Sequence, residues 1–467
     1  MAINITYSAQ TISPAYNPVE FYFSGNNATR LGYRYIVEIF DANTNVRISK
    51  QKVVPQSNGQ GKIDISRILS NNVTVSFNPT VNTVSNASNS YLNYRISIGE
   101  EYVPDVWIYT GITSYTPAGG LIPLARLNSN TANTFLNGDD IFITCSQPFP
   151  IAGFHHVLSA ISATSTAIDY IYLNSFTATT SGTCQYADTR KLVTTGINQT
   201  ITGFTVFNGI RSVPDFISYS GANYTIDTFN TSKQFLTNLP NNFYAAITQD
   251  IKLNAYLNKV SGQTYALRIN DSLGGVYNSP YTYNGNGKEV IQFNAGFNAM
   301  NLTNSANIDW YDIFLINVNG NIQLSKKYRI YLDKRCQIND YEIAFQDRMG
   351  SIASFNFQLR SKETGTINRT QYKQQLPTTY NTYDRGTTNI FIGFDKNYEL
   401  NTNWMTDEMS VYFEELLTSP YQWIKIGGTY YSCTVIETGF ETERQKNKKL
   451  IRKTVTVNLS NNDSVNI

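Results

Sequence analysis

Tyr33-Arg-Tyr-Ile-Val-Glu-Ile-Phe40 and, further along, Gly61-Lys-Ile-Asp-Ile-Ser-Arg-Ile-Leu69 decide the fold class. In both, apolar side chains fall at every second position, the period of a strand with one buried face. The second run slackens at Ser66, where a helical turn is expected to close it. Outward from these, Phe21-Tyr-Phe23, Ile48–Val54, Val73–Phe77, Tyr91–Ile98 and Val106–Tyr109 read as further short strands. Turn residues separate them at roughly ten-residue spacing, as a β-sandwich requires.

Between Pro117 and Leu236 the patterning weakens. Pro123, Pro148 and Pro150 punctuate it, and Ser162-Ala-Thr-Ser-Thr166 and Thr177-Ala-Thr-Thr-Ser-Gly-Thr183 read as loops or edge strands. Regular strands resume at Phe243–Ile247, Ile251–Leu257, Thr264–Ile269, Val290–Asn294, Ile308–Val318 and Tyr328–Asp333. Beyond Tyr341 one helix is expected. Thr406 caps it, Asp407 and Glu408 suit its positive end, Pro420 lies just past it, and Met405, Met409, Phe413, Leu416 and Leu417 form its apolar stripe. That stripe is expected to pack on strands at Ser354–Leu359, Gln422–Ile426, Tyr430–Ile436 and Leu450–Leu459.

The expected architecture is mainly β, a multi-domain β-sandwich protein with a small α+β C-terminal domain carrying one clear helix. Its segments are residues 1–116, a variable β- and loop-rich insertion at 117–236, a second sandwich-like domain at 237–340, and the α+β domain at 341–467. The 467 residues are too many for one ordinary core, which supports this division.

Composition narrows function. Charged residues make up 15% of the chain, against about 25% in average soluble proteins, while Tyr (33) and Phe (25) are abundant and the formal charge is +2. So many aromatics argue for folding rather than disorder. The weak net charge removes the long-range field that draws proteins to nucleic acid or anionic membranes. No window is long and apolar enough to span a bilayer, and the N-terminus lacks a secretory leader pattern, so synthesis in a cytoplasm is expected.

No catalytic, metal or cofactor site is expected. His155 and His156 are adjacent and would point to opposite faces of a strand. Cys145, Cys184, Cys336 and Cys433 lack Cys-x-x-Cys spacing and read as isolated buried thiols. Asn137-Gly-Asp-Asp140 lacks the ligand pattern of a calcium loop. Gly-x-Ser-x-Gly and phosphate-loop motifs are absent, and Gly274-Gly275 and Gly285-Asn-Gly287 read as hairpin turns. Asn-x-Ser/Thr triplets follow from the Asn- and Thr-rich composition. A glycan depolymerase would need two carboxylates flanking a glycosidic bond, which sequence alone does not pair. Candidate contact residues are Tyr277, Tyr281 and Tyr283, in a loop expected over Tyr277–Asn284, and Arg444, Lys446, Lys448 and Lys449 in the charged segment Glu441–Lys449.

Both ends of the chain resemble a family of virion proteins of tailed phages of Bacteroidota hosts, including crAss-like phages. At the N-terminus the similar elements are Ile12-Ser-Pro-Ala-Tyr-Asn-Pro-Val-Glu-Phe-Tyr-Phe23, Tyr35–Phe40 and Gly61–Leu69. At the C-terminus they are Phe345-Gln-Asp-Arg-Met-Gly-Ser-Ile-Ala-Ser-Phe-Asn-Phe357, Asn403-Trp-Met-Thr-Asp-Glu408, Glu414-Glu-Leu-Leu-Thr-Ser-Pro420, and Asn447-Lys-Lys-Leu450 followed by Thr454-Val-Thr-Val-Asn-Leu459. Ala344-Phe345-Gln346 stands where the family usually shows tryptophan and asparagine, and residues 120–235 have no counterpart. The resemblance implies a tail hub, tube-adjacent or baseplate protein of the virion, non-enzymatic, forming a ring with copies of itself and docking other tail or portal-adjacent proteins. The alternatives are a receptor- or carbohydrate-binding tail protein contacting a host surface glycan or receptor, and a glycan depolymerase.

Overall fold

The computed structural model describes residues 3–102, 193–437 and 451–466, apart from 31, 80–83, 228–231, 261, 283–286, 304–305, 336–337, 339 and 461–462, and between 103 and 192 the backbone of six strands. The chain is mainly β. Its contacts gather into two units whose segments interleave in sequence: Met1–Ala9, Glu20–Asp64 and Tyr94–Gly203 make one, and Gln10–Val19, Ile65–Asn93 and Phe204–Ile467 the other. Spatial grouping and chain order therefore differ.

In the first unit, Arg34–Asp41 lies antiparallel between Arg47–Val53 and the run Tyr94–Glu101. Tyr35, Val37 and Ile39 are wholly buried, as the alternation requires. The Phe23 and Tyr35 rings meet edge to face at 4.8 Å, and the Tyr35 hydroxyl donates to the Gly59 carbonyl at 2.6 Å. Both rings press on Gly61, where no side chain would fit. The stretch of weakest patterning still builds a six-stranded sheet, in the order Leu124–Asn128, Ala167–Ile171, Gly153–Ala160, Asp140–Cys145, Thr183–Asp188 and Trp107–Thr110. His155 and His156 stand in register with Ile141 and Asp140. Cys145 stands in register with Cys184, so two cysteines read as isolated are backbone partners on adjacent strands.

The second unit carries a sheet ordered Phe243–Ala245, Tyr328–Leu332, Trp310–Asn317, Thr264–Asp271 and Val276–Thr282, and a smaller one ordered Thr225–Ile226, Lys252–Lys259, Gly287–Asn294 and Val84–Asn86. A third sheet follows the order Ile352–Phe357, Tyr341–Gln346, Gln422–Ile426, Thr429–Val435, Thr454–Leu459, Thr387–Asn401 and Lys362–Lys373, with Asp463–Asn466 pairing Thr387–Asn401. Helix Asp407–Thr418 begins where expected, with the Thr406 hydroxyl accepting from the Met409 amide at 3.3 Å. It buries Met409, Tyr412, Phe413 and Leu416. One continuous core joins the 243–332 strands to the helix and the 341–459 sheet, with Phe243 against Phe355 at 5.6 Å and Phe355 against Phe413 at 5.2 Å. No break in packing falls at residue 340.

Three sequence expectations change. Val73–Phe77 forms no strand, because Phe77 turns aside to stack on Trp423 at 4.0 Å. The Tyr-rich stretch read as a loop is strand Val276–Thr282, closed onto Thr264–Asp271 by the Gly274-Gly275 turn, with Gly274 at φ +89°. This strand lies at a sheet edge, the position where Pro280 is tolerated. Strands Val276–Thr282 and Gly287–Asn294 belong to different sheets, so the hairpin expected at Gly285-Asn-Gly287 is not formed between them.

A ribbon as candidate assembly surface

Strand Lys362–Lys373 pairs with Thr387–Asn401 from Lys362 opposite Glu399 to Lys373 opposite Thr387, with a register shift at Thr370/Gln371. Twelve residues of extended chain reach roughly 40 Å. A strand with one face on a core alternates buried and exposed; here all twelve residues are exposed, so neither face of this strand is covered. Its outer edge has no strand partner among the described residues. Ile367 (50%), Tyr372 (46%) and Ile390 (46%) carry apolar area to solvent, and Tyr380 (62%) and Tyr383 (80%) do so in the bend between the strands.

Local chemistry holds the ribbon in shape. The Phe394 ring lies across Gly365 and the Phe391 ring across Gly393, giving bare backbone an aromatic cover. Lys396 pairs with Glu363 at 2.7 Å, and this partner keeps the carboxyl below its ordinary value. Gln371 donates to Asn389 at 2.7 Å. Thr387–Asn401 is held on its other side by Thr454–Leu459 and Asp463–Asn466, so the open edge is that of Lys362–Lys373 alone, and an open edge is a template for another strand. Such an element gains most when something packs on it.

Two acid pairs, each with one buried and one partly buried carboxylate, lie elsewhere in this unit, and each ties elements together. Asp347 accepts from Thr237 Oγ1 (2.8 Å) and from the amides of Asn238 (3.2 Å), Met349 (2.9 Å) and Ser351 (2.8 Å). Glu415, on the helix, accepts from Asn238 Nδ2 (2.8 Å) and the Arg348 amide (3.0 Å). Together they clamp the helix and the 347–351 turn to residues 237–238. Burial, and then the Glu415 charge, push Asp347 well above the usual carboxylate range against those donors. Burial raises Glu415 as well.

The second pair sits on the sheet face opposite the helix. Glu342, Lys425 and Tyr430 are cross-strand neighbours in one row. Lys425 Nζ lies 3.2 Å from Glu342 Oε2 and 3.7 Å from Asp250 Oδ2, and the Tyr430 hydroxyl donates to both carboxylates at 3.0–3.1 Å. Burial pushes Glu342 up to about 7. Burial works to lower Lys425, but Glu342 and Asp250 hold it above its usual value. Phe77, with Lys252 at 4.8 Å from its ring, caps this row. In both clusters the donors converge on carboxylates that already bridge structural elements.

Of the contact residues singled out in sequence, Tyr277 and Tyr281 lie on strand Val276–Thr282, half-buried against the core, with the Tyr281 hydroxyl donating to Glu289 at 3.2 Å. Tyr283, Arg444, Lys446, Lys448 and Lys449 lie outside the described residues. The ribbon was not singled out. Its only sequence signal is a run of threonines with Ile367 and Tyr372, good strand formers without a buried face to impose alternation. Among the described residues, no cluster of three His, Cys, Asp or Glu has the grouping to hold a metal, and no helix is long and apolar enough to cross a membrane.

No family model matches the chain, and no curated protein matches it. Among solved structures, a tetra-tandem repeat from the extending region of a large adhesion protein aligns at 10% identity over 86% of this chain and 94% of that one, with a TM-score of 0.12. At that superposition the likeness carries no argument about either fold or function.

Proposed function

We propose that this chain is a structural subunit of a phage tail, of hub, tube-adjacent or baseplate type, resident in the virion, that joins copies of itself and neighbouring tail proteins into a ring. The observation that supports this most is the Lys362–Asn401 ribbon, whose outer strand meets solvent on both faces and along its edge. A chain poor in charge and rich in tyrosine suits permanent contacts, where aromatics are favoured and Lys and Glu are depleted at the centre. The mechanism is geometric: a repeated heterologous contact closes into a ring when its rotation permits.

The test combines mass measurement and electron microscopy of the purified chain with an Ile367→Asp/Tyr372→Asp/Ile390→Asp variant. All three side chains are exposed, so the variant is expected to fold. The wild type should form multi-copy particles at high concentration and the variant should not. Identical behaviour of the two, or a chain absent from virions, rejects the reading. A second reading, as a receptor or glycan binder, draws on Tyr380 and Tyr383 in the ribbon bend, and binding to host cells that is lost on Tyr380→Ala/Tyr383→Ala would favour it.

A further inference from the structure

Strand Lys362–Lys373 ends the third sheet of its unit, with nothing paired to its outer edge among the described residues. Its regular part runs from Lys362 to Thr370, where the register shifts against Thr387–Asn401. The midpoint of that run is Thr366. An exposed edge of this length and regularity invites strand addition unless something covers it. A second copy of the same strand, laid antiparallel about a two-fold axis through the Thr366 position, would use the whole regular run.

The side-chain order in that register is self-complementary. Thr366 faces Thr366 of the second copy, Thr364 faces Asn368, and Gly365 faces Ile367. Glu363 faces Arg369, and the two-fold repeats this opposite-charge pair on the other side. Cross-strand pairs of opposite charge and of threonine are the favourable kind, whereas like charges directly opposite are destabilising. Sliding one residue in one direction sets Lys362 against Arg369, and sliding one residue in the other leaves Glu363 opposite Thr370 with no charge pair. Arg369 is exposed and has no ion-pair partner among the described residues. Glu363 is engaged at one oxygen by Lys396 and at the other by the Tyr341 hydroxyl, and its side chain keeps 45% of its surface open to a further cation.

We propose that free chains pair edge to edge through Lys362–Thr370, antiparallel, centred on Thr366, as a two-fold dimer that covers this edge until assembly. The inference rests on the assembly reading above. A ring around a tail axis is polar and contains no perpendicular two-fold, so the dimer belongs to the unassembled chain and competes with ring formation for the same edge. Its occupant is a second copy of this chain rather than a foreign peptide, because the strand's own charges complete each other.

Sedimentation of the full chain should show a reversible dimer at micromolar concentration. Arg369→Glu sets like charges opposite each other twice and should weaken it about tenfold or more. Adding Glu363→Arg to that variant reverses both signs and should restore it, a rescue that a merely structural effect would not give. A Thr366→Cys chain treated with oxidised glutathione should cross-link to its own copy. One thiolate attacks the glutathione disulfide and expels a glutathione thiolate, then the second copy's thiolate displaces the other glutathione, leaving one protein disulfide and two reduced glutathiones. Thr364→Cys and Ile367→Cys, opposite non-cysteine positions, should cross-link far less, and the wild type serves as the control for the native cysteines. A chain monomeric throughout, a dimer indifferent to Arg369→Glu, or cross-linking strongest away from residue 366 overturns the inference. Each leaves the ring reading standing, since that is tested on virions and multi-copy particles. Rings that never form, from a chain that dimerises as described, overturn the ring alone.

Discussion

Replacing Glu342 by Gln should remove a specific pH dependence of stability. Glu342 is 2% exposed, its carboxylate 3.2 Å from Lys425 and 3.1 Å from the Tyr430 hydroxyl, and burial raises it from 4.5 to about 7. Between those values the folded protein holds a proton that the unfolded chain has released, so stability falls as pH rises. The contribution is fully present below about 4.5 and is gone above about 7. A difference of about 2.5 pK units corresponds to about 3 kcal/mol. Asp347 has a shift of the same sign, so wild type and variant must be compared at each pH rather than read alone. Denaturant titrations at pH 4.5, 5.5, 6.5 and 8 would be followed by tryptophan fluorescence, to which Trp423, stacked on Phe77 beside the cluster, contributes. The wild type should lose about 3 kcal/mol relative to Glu342→Gln across that range. A gap that stays constant with pH, or that changes in favour of the wild type as pH rises, refutes the reasoning.

Phe77→Ala removes the ring lying 4.0 Å over Trp423 and should cost about 2 kcal/mol, with a shift in tryptophan emission. Asp347→Ala leaves four donors at the 347–351 turn and residues 237–238 without their acceptor, and a loss of about 3 kcal/mol or more is expected in denaturant unfolding. Thr406→Ala removes the hydroxyl that caps helix Asp407–Thr418 and should cost about 1 kcal/mol by thermal unfolding, with Thr406→Ser close to wild type.

The fold was legible wherever one face of an element is covered. The stripe Met409, Phe413, Leu416 carries the period of its helix because water lies on one side and core on the other, and in Tyr33–Phe40 the apolar set Tyr35, Val37 and Ile39 fills one face although Ile36 and Glu38 on the other face are buried as well. The ribbon was invisible for the opposite reason: with both faces of Lys362–Lys373 in solvent, no alternation is imposed, and only strand propensity remains. Val276–Thr282 misled because tyrosines and a proline read as a loop, yet an edge strand accepts Pro280 and half-buries Tyr277 and Tyr281. Pairings across long sequence separations left no local trace. Glu342 meets Lys425 only through the register of two strands, and the backbone positions of Cys145 and Cys184 are set opposite each other in the same way. The segment boundary expected near residue 340 followed a change in pattern, whereas Phe243, Phe355 and Phe413 run one core across it.

In the working protein, strand Lys362–Lys373 is expected to be covered by other subunits. Cryo-electron microscopy of intact phage particles that locates this chain measures that directly. The expected map shows the chain in a ring around the tail axis, with residues 362–401 against a neighbouring copy or tail protein. A ring whose ribbon stands free in solvent, or particles that lack the chain, would contradict it.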